Sequence, residues 1–306
     1  MPGCTALTIG TFDGVHCGHR ALIRQARRAA GEGGRVIGMV FDPHPLAILK
    51  PETAPAPLST LSQRRRWLLE SGADEVIHLA TTPDLLATSP EAFVSEFAVR
   101  FRPRFVVEGP DFRFGRDRRG DIRMLRRLGD QHGFETIVLD PVEAPISDHS
   151  LHRASSTLIR WLVARGRMRD AALLLGRPFE IETTVIRGAQ RGRDLGFPTA
   201  NLAPNGCLLP ADGIYAGHAE LPDGRLAPAA ISVGDNPTFP GQSRRCEAHL
   251  LDHDGPLDSY GWTIRLRVES WVRDQIRFDS MASLTSQIKR DVERIRTLVD
   301  LETIAA

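Results

Sequence analysis

Gly10-Thr11-Phe12-Asp13-Gly14-Val15-His16-Cys17-Gly18-His19 is the stretch on which the reading of this chain turns. The short apolar run Ala6-Leu7-Thr8-Ile9 precedes it. Ala21-Leu22-Ile23-Arg24-Gln25-Ala26 follows, with apolar residues at helical spacing. Strand, glycine-rich turn and helix, in that order, bring backbone N–H groups and a helix N-terminus to one place, an arrangement suited to phosphate. His16 and His19 sit three apart, so one helical turn aims both imidazoles the same way. Gly18 between them leaves room for a nucleotide against the backbone.

Outward from this stretch, residues 1–140 alternate strand and helix patterns. Strands are expected at Thr5–Ile9, Val36–Phe41, Val76–Leu79, Phe105–Val107 and Thr136–Leu139, and helices at Arg20–Ala30, Leu61–Ser71, Pro90–Phe101 and Ile122–His132. That alternation implies an α/β domain with a doubly wound parallel sheet and ligands at the strands' carboxyl ends. Two polar tips fall at such ends: Asp42-Pro43-His44-Pro45, and Glu108-Gly109-Pro110-Asp111-Phe112-Arg113-Phe114-Gly115. Met168–Leu175 reads as a closing helix broken by Gly176-Arg177-Pro178, so the first domain is set at residues 1–176 and the second at 177–306. Past Phe179 the pattern changes to short strands at Glu180–Ile186, Gly213–Ala219, Ala229–Val233, Cys246–Leu251 and Thr263–Trp271. These suggest a small β-barrel or sandwich, with a helix over Leu284–Leu298 packed across it.

Composition narrows the chemistry. The 306 residues suffice for two cores, and a formal net charge of +1 gives no general attraction to nucleic acid or membrane. No run of about 18 apolar residues occurs, and the first five residues do not form a signal peptide, so a cytoplasmic protein is expected. Cys4, Cys17, Cys207 and Cys246 show no metal or disulfide spacing. The only lysines are Lys50 and Lys289, and neither follows a glycine-rich turn, which excludes a Walker A loop. Phosphate chemistry therefore rests on arginine, histidine, backbone N–H groups and metal.

The string Gly-Thr-Phe-Asp-Gly-Val-His-x-Gly-His resembles the adenylyltransferase half of bacterial bifunctional riboflavin kinase/FAD synthetases. His-x-Gly-His on its own is the wider nucleotidyltransferase signature. The resemblance implies a nucleotide site at Gly10, Phe12, Asp13 and Gly18, with His16 and His19 in catalysis. It also covers Phe-x-Pro-His-Pro and Gly-x-Asp-Phe-x-Phe-Gly, implying substrate contacts for His44, Asp111 and Arg113. Read without the resemblance, His44 is a turn residue and Asp111 and Arg113 belong to a solvated loop. Arg153-Ala154-Ser155-Ser156-Thr157-Leu158-Ile159-Arg160 combines hydroxyls suited to capping a helix with flanking arginines. In the superfamily a Ser-Ser-Thr-x-x-Arg string faces the triphosphate, which implies that role for Arg153, Ser156, Thr157 and Arg160.

The second half is similar to the riboflavin kinase module through Gly188–Asn201, which ends in Gly196-Phe197-Pro198-Thr199-Ala200-Asn201. By resemblance Gly188, Gly192 and Gly196 shape an ATP phosphate site, and Thr199 and Asn201 hold magnesium, for which they are hard oxygen donors. Pro210–Tyr215, Ser232–Phe239 and Glu247–Asp252 also match, and the family's catalytic base maps to Glu247. His249 shares a face with Glu247 if the strand is regular. The chain departs from the family at Thr183, where glycine is usual, and at Ser259 before Tyr260-Gly261.

The resemblance thus implies a bifunctional transferase that phosphorylates riboflavin to FMN and then adenylates FMN to FAD. ATP is the co-substrate, Mg2+ the metal, and small molecules rather than nucleic acid or membrane the partners, in a monomer or weak homo-oligomer. A relative with only one of the activities is the first alternative. A nucleic-acid binder using Arg64-Arg65-Arg66 and Arg116-Asp117-Arg118-Arg119 is the second; interleaved acids and the lack of a recognition motif count against it.

Overall fold

The computed structural model describes residues 3–188, 190–235, 238, 244–252 and 259–305, with side chains described to 299 apart from that of 191. The chain folds as two compact units. The first takes residues 1–57, 61–144 and 151–156; the second takes 58–60, 145–150 and 157–306.

The first unit is built on β1 (Thr5–Gly10), α1 (Cys17–Ala30), β2 (Arg35–Asp42), α2 (Pro45–Leu49), α3 (Leu61–Glu70), β3 (Glu75–Ala80), α4 (Pro83–Ala87), α5 (Pro90–Phe101), β4 (Phe105–Glu108), α6 (Ile122–His132) and β5 (Glu135–Val138). The sheet is parallel throughout, in the order β3-β2-β1-β4-β5. Alternate residues of its central strands go to opposite faces, as a two-residue period demands. Leu7, Ile9 and Val106 pack with Phe93 and Phe97 of α5 and Leu125 of α6. Ala6 and Val107 pack on the other face with Ile23 and Ala26 of α1 and Trp67 and Leu68 of α3. Burying each large apolar side chain contributes roughly 1.5–3 kcal/mol, which is why the strands read as near-continuous apolar runs. The helices carry their own start signals: Ser89 caps α5 by accepting from Ala92 N–H, and Asp121 caps α6 by accepting from Met124 N–H. The helices α2 and α4, each opened by a proline, are not among the elements expected from the sequence, because five residues are too few to show a helical period.

After the two-stranded β6 (Glu143–Pro145) and β7 (Leu151–Arg153), α7 (Ser156–Val163) and α8 (Met168–Leu175) lead into the second unit. It continues with β8 (Phe179–Ile186), α9 (Arg191–Asp194), β9 (Ala200–Leu202), β10 (Gly213–Glu220), β11 (Leu226–Gly234), β12 (Arg245–Leu250), β13 (Thr263–Arg273) and α10 (Met281–Ala305). Six strands close a barrel in the order β10-β11-β12-β9-β8-β13, antiparallel throughout. Of the two forms the strand pattern allows, it is the barrel. The sequence pattern does not disclose β9, whose three residues are too few to show a period. Along β13 buried residues alternate with more exposed ones: Ile264, Leu266, Val268 and Val272 are buried, Val272 in one cluster with Ile295 and Val299 of α10. Helix α10 is fastened to the barrel by Asp291, whose carboxylate accepts from Arg273 Nε and Nη2 at 2.9 and 2.7 Å. Thr183, where the family has glycine, is accommodated: its buried hydroxyl donates to Ala203 O at 2.7 Å.

Candidate active sites

In the first unit, β1 ends in a tight turn before α1. Phe12 and Val15 take φ of 48° and 36°, and Val15 N–H donates to Phe12 O at 3.0 Å. Left-handed backbone at a β-branched residue is strained by about 1–3 kcal/mol and persists only where the surroundings over-determine it. Here both side chains are buried, at 1% and 0% exposure. His16 caps α1, its Nδ1 accepting from His19 N–H at 3.4 Å. The two imidazoles stack with centroids 3.7 Å apart, and Phe12 meets His19 edge-on at 5.2 Å.

Gly18 has a use that sequence alone does not assign. A Cβ there would lie 3.0–3.1 Å from the His16 ring, so its absence admits the imidazole itself. Gly10 lies under the Phe12 ring, where a Cβ would make ordinary contact at 3.4–3.6 Å. The turn is tied from outside by Ser156, whose hydroxyl donates to Asp13 O at 2.8 Å. Asp13 is itself buried. A second tie is Arg64 of α3, which donates to Thr11 O at 3.0 Å and Phe41 O at 3.1 Å and is paired with Asp42. Arg64 is 4% exposed, so the arginine run that reads as a surface charge patch turns one member inward. No sequence signal separates it from its neighbours except its position on the apolar face of α3.

Asp111 and Arg153, expected to contact different ligands, form an exposed ion pair at 2.7 Å. Arg113 is exposed and donates to Phe112 O. His44 caps α2, its Nδ1 accepting from Leu46 N–H at 3.1 Å, which is the turn role expected without the resemblance. Thr157 and Arg160 follow on α7, within the second unit.

In the second unit the barrel register brings Glu247 of β12 opposite Asn201 of β9. Glu247 Oε2 lies 3.5 Å from Thr199 Oγ1, and Arg245 Nη1 is 3.8 Å from Oε1. His249, on the same face of β12, has Nδ1 2.8 Å from Pro198 O and meets Phe197 edge-on. The glycines have distinct uses. A Cβ at Gly188 would sit 2.2 Å from Asn201 Cγ, one at Gly192 would strike Phe197 O, and Gly196 takes φ of +82°. Thr199, Asn201, Arg245, Glu247 and His249 line one side of a cavity of about 190 Å³. Its apolar walls include Ile214, Ile231, Phe278 and, from α10, Leu284, Ile288 and Val292. Arg245, Gln275 and the α10 wall are not foreseeable from sequence, because their part in the site depends on barrel closure. Ala189, Asn236, Pro237 and Phe239 of the matched strings lie outside the described residues.

Oxygen donors on Thr199, Asn201 and Glu247 suit a small hard cation that keeps several waters. Among the described residues no three His, Cys, Asp or Glu side chains form a metal-ligating group, and no helix is long and apolar enough to cross a membrane.

Two families of known proteins match the chain. The FAD synthetase family matches residues 2–153, and the riboflavin kinase family matches 175–299. The bifunctional riboflavin kinase/FMN adenylyltransferase of Escherichia coli (strain K12) is 37% identical, covering 94% of this chain and 90% of its own length. The protein of the same description from Pseudomonas fluorescens is 35% identical, over 97% and 93%. A solved structure from Streptococcus pneumoniae, described as a macrolide-efflux protein, superposes with a TM-score of 0.81 at 30% identity, covering 97% of this chain and 95% of that one. With both modules matched and relatives aligned along nearly its whole length, the chain belongs to the family of bifunctional riboflavin kinase/FMN adenylyltransferases, a family of transferases.

Proposed function

We propose that the chain makes FMN and then FAD from riboflavin and ATP, with each reaction assigned to one of the two constellations above. The observation that carries the kinase assignment is Glu247 beside Thr199 and Asn201 in a cavity that also has a broad apolar wall. A flat, largely apolar ring system suits such a wall, with its hydroxylated chain directed to the polar side. Glu247 takes the proton of the terminal hydroxyl as that oxygen attacks the γ-phosphate of ATP, the bond to the bridging oxygen breaks and ADP leaves. Thr199 and Asn201 would hold Mg2+, which when bound neutralises charge on the phosphates. The glycines of the 188–196 loop let the backbone approach those phosphates closely.

Adenylyl transfer belongs to His16, His19 and the turn that carries them. The FMN phosphate is already a nucleophile at neutral pH, so its attack on the α-phosphate of ATP, which expels pyrophosphate, needs positive charge and donors rather than a base. His16 and His19 supply these, with Gly10, Phe12, Asp13 and Gly18 shaping the nucleotide site. Arg153, Ser156, Thr157 and Arg160 are assigned to the polyphosphate, and His44, Asp111 and Arg113 to the FMN side. Ser156 and Arg153 already reach this turn and its neighbouring loop through Asp13 and Asp111, which supports the assignment. The module boundary is set near Gly176. A soluble cytoplasmic enzyme, monomeric or weakly associated, fits the use of ATP.

Separate assays of riboflavin phosphorylation and FMN adenylation test both assignments. His19→Ala is expected to lose about a hundred- to thousandfold in adenylation, the usual effect of removing one transition-state donor. Glu247→Gln is expected to lose roughly 10²–10⁴-fold in phosphorylation, with riboflavin binding little changed. Equal loss of both activities in either variant contradicts the assignment.

A further inference from the structure

β4 ends in a residue that breaks the pattern of a buried strand. It reads Phe105-Val106-Val107-Glu108, and its last side chain, a carboxyl that by sequence belongs to a polar tip, is only 2% exposed. By alternation Glu108 falls on the face of Val106, above the α5–α6 core. A carboxyl is costly there unless it is hydrogen-bonded. Its partners come from β1: Ile9 N–H donates to Oε1 at 2.6 Å, and the Thr8 hydroxyl donates to the same oxygen at 3.5 Å.

The sheet register shows what the carboxyl does. β1 and β4 pair at Ala6↔Phe105 and Leu7↔Val106 and no further. On their other sides both strands pair to their ends, β1 with β2 through Gly10↔Val40 and β4 with β5 through Glu108↔Val138. The ladder therefore opens only between β1 and β4, and the Glu108 side chain takes an amide that the neighbouring strand's backbone would otherwise accept. In the order β3-β2-β1-β4-β5 this is the topological switch point, where open α/β sheets bind ligands. One residue beyond Ile9 the chain enters the turn that carries His16 and His19.

We propose that Glu108 is a positioning residue for adenylyl transfer: its side chain is a wedge that keeps β1 and β4 apart at the switch point and sets the path of the Gly10–His19 turn. It acts through the Ile9 amide, and it rests on the reading that places adenylyl transfer at that turn. Burial holds the carboxyl well above the usual carboxylate range, against the opposite pull of the Ile9 N–H and Thr8 hydroxyl. No charged side chain contributes to that balance: not Asp111 or Arg113 on the following loop, Glu91 on α5, Arg123 on α6, Glu135 on β5, or His16 and His19 at α1.

Glu108→Val completes the apolar strand and frees the Ile9 amide to rejoin the ladder, while Glu108→Gln keeps an oxygen acceptor of the same reach. The full-length variants are to be compared by thermal unfolding and by both half-reactions. For Glu108→Val the expected result is a melting temperature at or above wild type with kcat/KM for FMN adenylation down about tenfold or more, as for a misplaced reacting group. Glu108→Gln should stay within about threefold, and riboflavin phosphorylation should be unchanged in both variants. A side chain that only stabilised the core would lose melting temperature and activity together, and that result overturns the proposal. So does a fully active Glu108→Val, or a Glu108→Gln as impaired as the valine variant. His19→Ala run alongside separates the two levels: if it too adenylates FMN normally, the site assignment itself has failed; if it is dead while Glu108→Val is active, the wedge alone has failed.

Discussion

The turn after β1 and the loop after β8 are both glycine-rich and both lead to a proposed catalytic group, yet they are held in different ways. The first is tied bond by bond. Val15 N–H bonds Phe12 O, His19 N–H bonds His16 Nδ1, Ser156 bonds Asp13 O and Arg64 bonds Thr11 O. The second has bonds of its own, such as Phe197 N–H to Gly192 O at 2.7 Å, but its catalytic end is set by sheet register, with Asn201 opposite Glu247 and Ala200 opposite Ala248. A site tied by individual bonds is vulnerable to the loss of one partner, whereas a site set by register is vulnerable to whatever crowds it.

The largest difference should come from Arg64→Ala. It removes the donor to Thr11 O and Phe41 O and leaves Asp42 without its paired cation, and breaking a mostly buried pair costs about 3–5 kcal/mol. Scanning calorimetry should show the first unit melting earlier, with adenylation lost and riboflavin phosphorylation retained. An unchanged melting profile would break the comparison on its first side.

Crowding is tested by Gly188→Ala, whose Cβ would sit 2.2 Å from Asn201 Cγ. Displacing that amide by about 1 Å should cost phosphorylation up to roughly a hundredfold. Adenylation should be untouched. Gly18→Ala is the counterpart, its Cβ 3.0–3.1 Å from the His16 ring, and there adenylation should fall and phosphorylation persist.

Smaller still is Thr183→Val, which leaves the Ala203 carbonyl without its hydroxyl donor at a cost of about 1 kcal/mol in denaturant unfolding. Asp111→Asn should be smallest. Its pair with Arg153 is 70% and 53% exposed, and such pairs contribute about 0–1 kcal/mol to stability. Whatever that variant does to the KM for FMN should therefore appear without a change in melting temperature.

The same contrast explains what the sequence discloses. β1, the His16–His19 turn and α1 are contiguous, and their strand–glycine–helix pattern is readable because nothing distant is needed to form it. The parallel order of the sheet follows from the alternation of elements. Glu247 has no local signal, since a carboxylate in an alternating strand reads as a solvated charge; only its surrounding string, by resemblance, raises it to a candidate base. Arg64 is hidden inside a run of three arginines, and its inward turn depends on where α3 meets Thr11 and Phe41. Glu108 reads as loop because an acid at a strand end looks like a terminus, and its burial depends on the opening between β1 and β4. In each case the missing information is a tertiary neighbour.

Two separate sites acting in succession, one depending on His19 and the other on Glu247, can be tested together. The most direct measurement is to incubate His19→Ala and Glu247→Gln proteins with riboflavin, ATP and Mg2+, separately and mixed, and to resolve riboflavin, FMN and FAD by chromatography. The expected result is FMN alone from His19→Ala, almost no product from Glu247→Gln, and FAD from the mixture, because FMN released by one protein is adenylated by the other. A mixture that makes no FAD, from two proteins that melt as wild type does, would contradict the two-site reading.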